Sequence, residues 1–223
     1  MSAGRHTRIE GGEGLTQSSI GSKERLNIVI TGVGGQGNVT AGIIMGEAVR
    51  LAGLNAVMSE IHGLAQRGGV VSVDFRIGDV YGPIIPDGQV DLVLGFELLE
   101  SYRALSRARP GTTMITSTER IVPSSVNVGD AKYPDLAVLR ERALSRGIRI
   151  YEVDAPSIAL AIGSKLSSNM IMVGAAYGAG FLPVHIDNIK DAIRLHFRES
   201  LWDVNFRAVE AGAQEIRRVA STM

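Results

Sequence analysis

"ITGVGGQGN", residues 30–38, places four glycines within six positions, directly after a short apolar run and before a segment of helical periodicity. A glycine cluster between strand and helix removes the Cβ atoms that would keep an anion away from peptide N–H groups and a helix N-terminus; it also permits a tight turn. Upstream, "LNIVIT" (26–31) is a continuous apolar run of the kind found in strands buried on both faces. Downstream, "NVTAGIIMGEAVRLAG" (38–53) puts Val39, Ile43, Ile44, Ala48 and Leu51 on one helical stripe, with Gly53 as its stop. Strand, glycine turn and helix in this order open an α/β sheet, and such sheets bind ligands at the C-terminal ends of their strands.

The rest of the chain repeats the alternation. "LNAVMSEIHG" (54–63) reads as a second strand, "DLVLGF" (91–96) as a central one, and "GTTMITST" (111–118) and "IRIYEVDA" (148–155) as two more. "VVSVDFR" (70–76) alternates strictly, with Val71, Val73 and Phe75 opposite Ser72, Asp74 and Arg76, which predicts a strand near an edge with one wet face. "ELLESYRALSRA" (97–108) reads as a helix stopped by Pro110, and periodicity is lost from Glu119 to Asp135. "SSNMIMVGAAYGAG" (167–180) is apolar almost all round and rich in small residues, hence a helix buried on every side whose spacing lets another backbone come close. The expectation is an α/β, Rossmann-like three-layer domain over residues 26–223, with a mainly parallel sheet and helices on both faces. Residues 1–25, Gly/Ser-rich and charged, read as a disordered tail.

Composition narrows the function. The 23 basic side chains balance 23 acidic ones, which gives no electrostatic footprint for nucleic acid or an anionic membrane. No run reaches the roughly 18 to 20 apolar residues of a membrane span, and a cytoplasmic protein is expected. Without cysteine there is no disulfide, no thiolate nucleophile and no thiolate-held iron–sulfur cluster. His6, His62, His185 and His196 are scattered, without the short spacing of zinc or non-haem iron ligands, so no metal is expected on this chain.

Two motifs carry chemistry. Gly32, Gly34 and Gly37 satisfy the dinucleotide pattern G-x-G-x-x-G between strand and helix, and Glu60 follows about 23 residues on, near the ribose-binding acid of that fingerprint. Gly35 exceeds the fingerprint, Gln36 and Asn38 place two amides at the helix mouth to grip a ligand or a neighbouring subunit, and Asn38 stands where a P-loop has lysine. The pattern leaves open a phosphate cradle and a purely structural turn. In "HGLAQRGG" (62–69), Arg67 before two glycines suits a phosphate or carboxylate, or is a surface hairpin arginine. His62 is the sole candidate acid–base residue and has no partner at readable spacing.

"GVGGQGN", "SEIHGLAQRGGVVS", "VYGPIIPDGQVDLVLGFELLE" and "SSNMIMVGAA", taken in order, resemble the gamma-type domain of the 2-oxoacid:ferredoxin oxidoreductases, and within that family its indolepyruvate-oxidising branch. The resemblance spans about residues 26–215, and "HGLAQRGG" discriminates the branch. It implies an accessory subunit, inactive alone, in a complex that decarboxylates an aryl pyruvate oxidatively, passes electrons to ferredoxin and transfers the acyl group to coenzyme A. Thiamine diphosphate, magnesium and iron–sulfur clusters would lie on a large partner subunit. Coenzyme A would contact the glycine loop, Gly32, Gly34, Gly35, Gln36, Gly37 and Asn38, and Arg67; Glu60, His62, Gln66, Gly68 and Gly69 match the family's second loop. The 25-residue leader is not required by the family. The residues taken by themselves also admit a nicotinamide-dependent Rossmann dehydrogenase, with His62 as its catalytic group, and a nucleotide-binding regulator without catalysis.

Overall fold

The computed structural model describes residues 25–62, 69–122 and 134–222. Arg25, the last residue of the expected tail, already belongs to the first strand; the other tail residues, together with Gln66, Arg67, Gly68 and most of the aperiodic connection after Glu119, lie outside the described residues. Six strands, β1 (Arg25–Val33), β2 (Ala56–His62), β3 (Val70–Gly78), β4 (Val90–Gly95), β5 (Ala108–Ser117) and β6 (Arg149–Val153), form one sheet in the order β2-β3-β1-β4-β5-β6. Helices are α1 (Asn38–Leu51), α2 (Leu98–Ala104), α3 (Leu136–Ser145), α4 (Ala155–Ala161), α5 (Ser168–Gly178), α6 (Ile186–His196) and α7 (Trp202–Ser221).

The apolar runs explain the three layers. Successive side chains of a strand point to opposite faces. Ile28 and Ile30 of β1, Leu92 and Leu94 of β4 and Ile115 of β5 therefore join α1 and α4 to α7 in one core. Val29, Val93, Met114 and Ile150 join α2 and α3 in a second core on the other face. Strands β1, β4, β5 and β6 run parallel, as expected of runs buried on both sides.

Three local expectations are corrected. The buried stripe of α1 is Ala41, Ile44, Met45, Ala48 and Val49, with Ile43 on the exposed side, because the helix packs against both the sheet and the helical layer. Strand β5 begins before Pro110 rather than after it. The third and largest concerns β3: it stands one strand in from the edge, as its alternation predicts, but does not join the parallel set, pairing antiparallel with both β1 and β2.

Nor is the polar face of β3 wet. Asp74 is fully buried and takes a bidentate ion pair from Arg107, at 2.6 and 2.7 Å, plus the Ile85 N–H at 2.8 Å. Arg76 donates to Asn27 Oδ1 and to the Gly82 and Ile84 carbonyls. These groups strap the segment between β3 and β4 across the sheet, and buried charge is tolerated there because every partner is supplied.

The helix rich in small residues behaves as its spacing suggested. A Cβ built on Gly174 of α5 would fall 2.0 Å from the Val209 carbonyl oxygen of α7, and one on Gly212 of α7 would fall 1.9 Å from the Ile171 carbonyl oxygen. The two helices cross with their backbones in contact.

Candidate functional site

The chain leaves β1 for α1 on one face and β4 for α2 on the other, so the winding reverses between these adjacent strands. Their C-terminal ends therefore diverge into a crevice, the usual place for a ligand in such a sheet. A pocket of about 350 Å³ lies there. The glycine loop (Gly34, Gly35, Gln36), Phe96 after β4, Ser117 at the end of β5 and Glu119 beyond it, and Lys165, Ser168 and Met172 around the start of α5 line it.

The glycine loop is built differently from a dinucleotide cradle. The Val33 N–H donates to Gln36 Oε1 at 2.7 Å, the Gln36 N–H to the Val33 carbonyl, and the Gly34 N–H to the Gly69 carbonyl at 2.9 Å. Two N–H groups that a pyrophosphate would use are thus already spent inside the chain. Gly35 N–H makes no hydrogen bond among the described residues and remains for a ligand in the pocket.

The glycines of the loop differ in what keeps them bare. A Cβ on Gly32 would meet Gln36 Oε1 at 2.7 Å and Asn38 Oδ1 at 2.8 Å, so this position is bare to receive two amide side chains. Gly37 caps α1 in the left-handed region, φ 81°, beneath the Asn169 side chain. Gly34 has room for a Cβ, its nearest neighbours being Gly69 and Val71 at 3.7 and 3.8 Å.

The side chains of Gln36 and Asn38 both bond within the chain. Gln36 Nε2 donates to the Phe96 carbonyl at 2.9 Å and to Glu119 Oε2 at 3.0 Å, tying the loop to the ends of β4 and β5. Asn38 Nδ2 donates to the Val71 carbonyl at 3.3 Å, and its buried Oδ1 has no partner among the described residues.

The acid of the dinucleotide fingerprint is displaced. Glu60 is exposed on β2, and β3 lies between that strand and β1, so two strand spacings of about 4.8 Å separate it from the loop rather than one. His62 ends β2 at the same end of the sheet, opposite Val71 in the register, and its side chain, like Arg67, is outside the described residues.

Sequence reasoning missed the opposite wall. The Lys165 side chain has no ion pair or hydrogen bond among the described residues, and it shares the pocket with Glu119. A cation and a carboxylate held apart across an apolar floor of Phe96 and Met172 suit a ligand with an anionic group at one end and hydrogen-bond donors at the other. The signal in the sequence was slight: Lys165 stands in "GSKLSSN", a polar break between two helices, and Glu119 begins the aperiodic stretch.

Behind this wall stand two buried carboxylates. Glu97 accepts the Glu100 N–H at 2.8 Å and the Ile121 N–H at 3.1 Å. Burial pushes the Glu100 carboxyl above its ordinary range, against the pull of Arg103, 2.6 Å away. At the start of α4, hydrogen bonds from Ser157 and Thr118 hold Asp154 below the usual aspartate value. Among the described residues no three His, Asp or Glu side chains gather as a metal site, and the chain has no cysteine for a cluster. No helix among them is long and apolar enough to cross a membrane.

Known proteins share this architecture. An indolepyruvate oxidoreductase subunit IorB of Archaeoglobus fulgidus is 40% identical over 84% of this chain and 94% of its own length. Its counterpart in Methanothermobacter thermautotrophicus is 42% identical over 83% of this chain and 95% of its own. The crystal structure of pyruvate oxidoreductase subunit PORC from Thermotoga maritima superposes with a TM-score of 0.67 at 23% identity, covering 86% of this chain and 97% of that one, which establishes the shared fold. The family model described as pyruvate ferredoxin/flavodoxin oxidoreductase matches residues 27–215, the sheet, the crevice and both helical layers, and the chain belongs to that family.

Proposed function

We propose that this chain is the small subunit of an indolepyruvate-type 2-oxoacid:ferredoxin oxidoreductase, and that its pocket receives part of coenzyme A beside the thiamine site of a large partner subunit. The observation that carries the assignment is the 40% identity to an indolepyruvate oxidoreductase subunit over nearly the whole of that protein. In the reaction a 2-oxoacid loses carbon dioxide, its acyl group ends on the sulfur of coenzyme A, and two electrons leave singly for ferredoxin.

Thiamine diphosphate on the partner supplies the electron sink for decarboxylation, and iron–sulfur clusters there carry the electrons. This chain's residues fit neither group, since it offers no thiolate and no magnesium-binding cluster among the described residues. Its own contribution is binding and orientation. Lys165 and the Gly35 N–H face a phosphate, Glu119 accepts from hydroxyl or amide donors of the same ligand, and Phe96 and Met172 give it an apolar floor. Arg67, on the connection between β2 and β3, is a second cation for the phosphates.

Co-expression with the large subunit tests the assignment. The complex is expected to reduce ferredoxin with indolepyruvate and other aryl pyruvates, strictly with coenzyme A, while this chain alone does nothing. Turnover by the isolated chain, or a complex that prefers pyruvate or 2-oxoglutarate, overturns it. A thermal-shift comparison separates the dehydrogenase alternative: stabilisation of the isolated chain by NAD would favour it, and none is expected.

A further inference from the structure

Glu97 is one of the most buried charged groups of the chain, 1% exposed, and it touches no part of the pocket surface. Its two carboxylate oxygens divide their work. Oε2 accepts the Glu100 N–H and so caps α2. Oε1 reaches across to the Ile121 N–H, 24 residues further along the chain.

The second bond matters because of where Ile121 stands. Strand β5 ends at Ser117, and the residues that follow, Glu119 and Ile121, form one wall of the pocket. Four hydrogen bonds hold that wall among the described residues: Glu119 N–H to Ser117 Oγ at 3.1 Å, Leu98 N–H to the Glu119 carbonyl at 2.9 Å, Gln36 Nε2 to Glu119 Oε2 at 3.0 Å, and Ile121 N–H to Glu97 Oε1 at 3.1 Å. The first three fix Glu119, and only the fourth fixes the chain beyond it among the described residues. Gln36 in turn closes the glycine loop by accepting the Val33 N–H. Loop and wall are therefore one hydrogen-bonded unit running from Val33 through Gln36 and Glu119, with its far end pinned by Glu97.

We propose that Glu97 is a positioning residue for ligand recognition: it sets the place of the Glu119–Ile121 wall, and through it the distance between the Glu119 carboxylate and Lys165 that the ligand must span. A carboxylate is the group suited to this, since it accepts two converging N–H donors at once and strengthens both bonds by its charge. The inference rests on the reading of the pocket as a coenzyme A site.

Two substitutions separate positioning from simple stability. Glu97→Asp keeps the charge and remains a good helix cap, but is one methylene too short for the Ile121 N–H. Glu97→Gln keeps the length and gives up the second strong acceptor. Both are measured in the assembled complex, alongside Lys165→Gln. Glu97→Asp is expected to leave Tm, kcat and the KM for the 2-oxoacid unchanged, to speed hydrogen exchange at the Ile121 amide, and to raise the KM for coenzyme A roughly tenfold. Glu97→Gln is expected to show the same KM effect with a lowered Tm. Faster exchange at Ile121 with an unchanged KM for coenzyme A, or unchanged exchange in both variants, overturns the proposal. An unchanged KM in Lys165→Gln as well would instead remove the pocket reading beneath it.

Discussion

The carbonyl oxygen of Val209 occupies the space that a side chain on Gly174 would need: a Cβ there would sit 2.0 Å from it. Backbone cannot move aside as the end of a flexible side chain can. Gly174→Ala is therefore expected to cost about 3 kcal/mol, the upper end of overpacking penalties, read from the urea midpoint. Gly46→Ala in α1 makes the contrast, because its Cβ would meet only Phe75, at an ordinary 3.5 Å. There the gain in helix propensity is expected to stabilise the chain by up to about 1 kcal/mol.

Removing one partner of the buried pair on β3 has a different signature. Asp74 is wholly enclosed, and Arg107 supplies both of its charged hydrogen bonds. Arg107→Met leaves that carboxylate buried without its counter-charge and is expected to cost about 3–5 kcal/mol in denaturant titrations. The double variant Asp74→Asn, Arg107→Met should recover part of the loss; strict additivity of the two single effects would contradict the coupling.

Within the pocket, Lys165→Gln is expected to raise the KM of the complex for coenzyme A about tenfold, as for a charge-assisted hydrogen bond of about 1.5–3 kcal/mol, with little change in the KM for the 2-oxoacid. Arg67→Ala is expected to act in the same direction. Gly34→Ala is a control for the loop, since the position has space for a Cβ and is not among the glycines of positive φ. It should leave Tm within error, whereas Gly35→Ala, at φ 99°, should lower it.

Stability should also carry a pH signature from Glu100. Burial raises this carboxyl in the folded chain, so above about pH 4.3, where the unfolded side chain loses its proton, the folded state holds more protons than the unfolded one. Its contribution to stability is present below that value and is lost as pH rises through the raised folded value. Glu100→Gln is expected to flatten this part of the pH–stability curve, in chemical denaturation from pH 4 to 7. A slope in that window identical to the parent chain's would contradict it. Asp154 works in the opposite sense: its stabilisation is present above the ordinary aspartate value and is lost as pH falls through its lowered one.

The layers were legible in the sequence because runs such as "NIVI" and "LVLG" admit few alternatives: strands without polar positions must be covered on both faces. What misled was β3. Its Ser72, Asp74 and Arg76 looked like a solvent face, but Asp74 is hidden by Arg107, 33 residues away in the chain, and no local pattern announces a partner at that distance. The strand order was invisible for the same reason. At the site, the glycine loop stood out by composition, while the bonds it makes did not: Gln36 ties it to the ends of β4 and β5, 60 and 83 residues further along the chain. Lys165 and Glu119 come from separate segments that only folding brings to one crevice, with Glu97, from a third, behind its wall.

Placing an antiparallel strand between β1 and β2 decides more than the sheet order. With β3 running against both neighbours, β2 points the same way as β1, so the chain between His62 and Gly69 joins its two anchors at the crevice rather than at the far end of the sheet. A helical crossover would have carried that connection away. One anchor, the Gly69 carbonyl, already holds the Gly34 N–H of the glycine loop. Residues inserted, deleted or exchanged between those anchors therefore start and finish at the crevice end of the sheet, next to the loop that the Gly69 carbonyl braces.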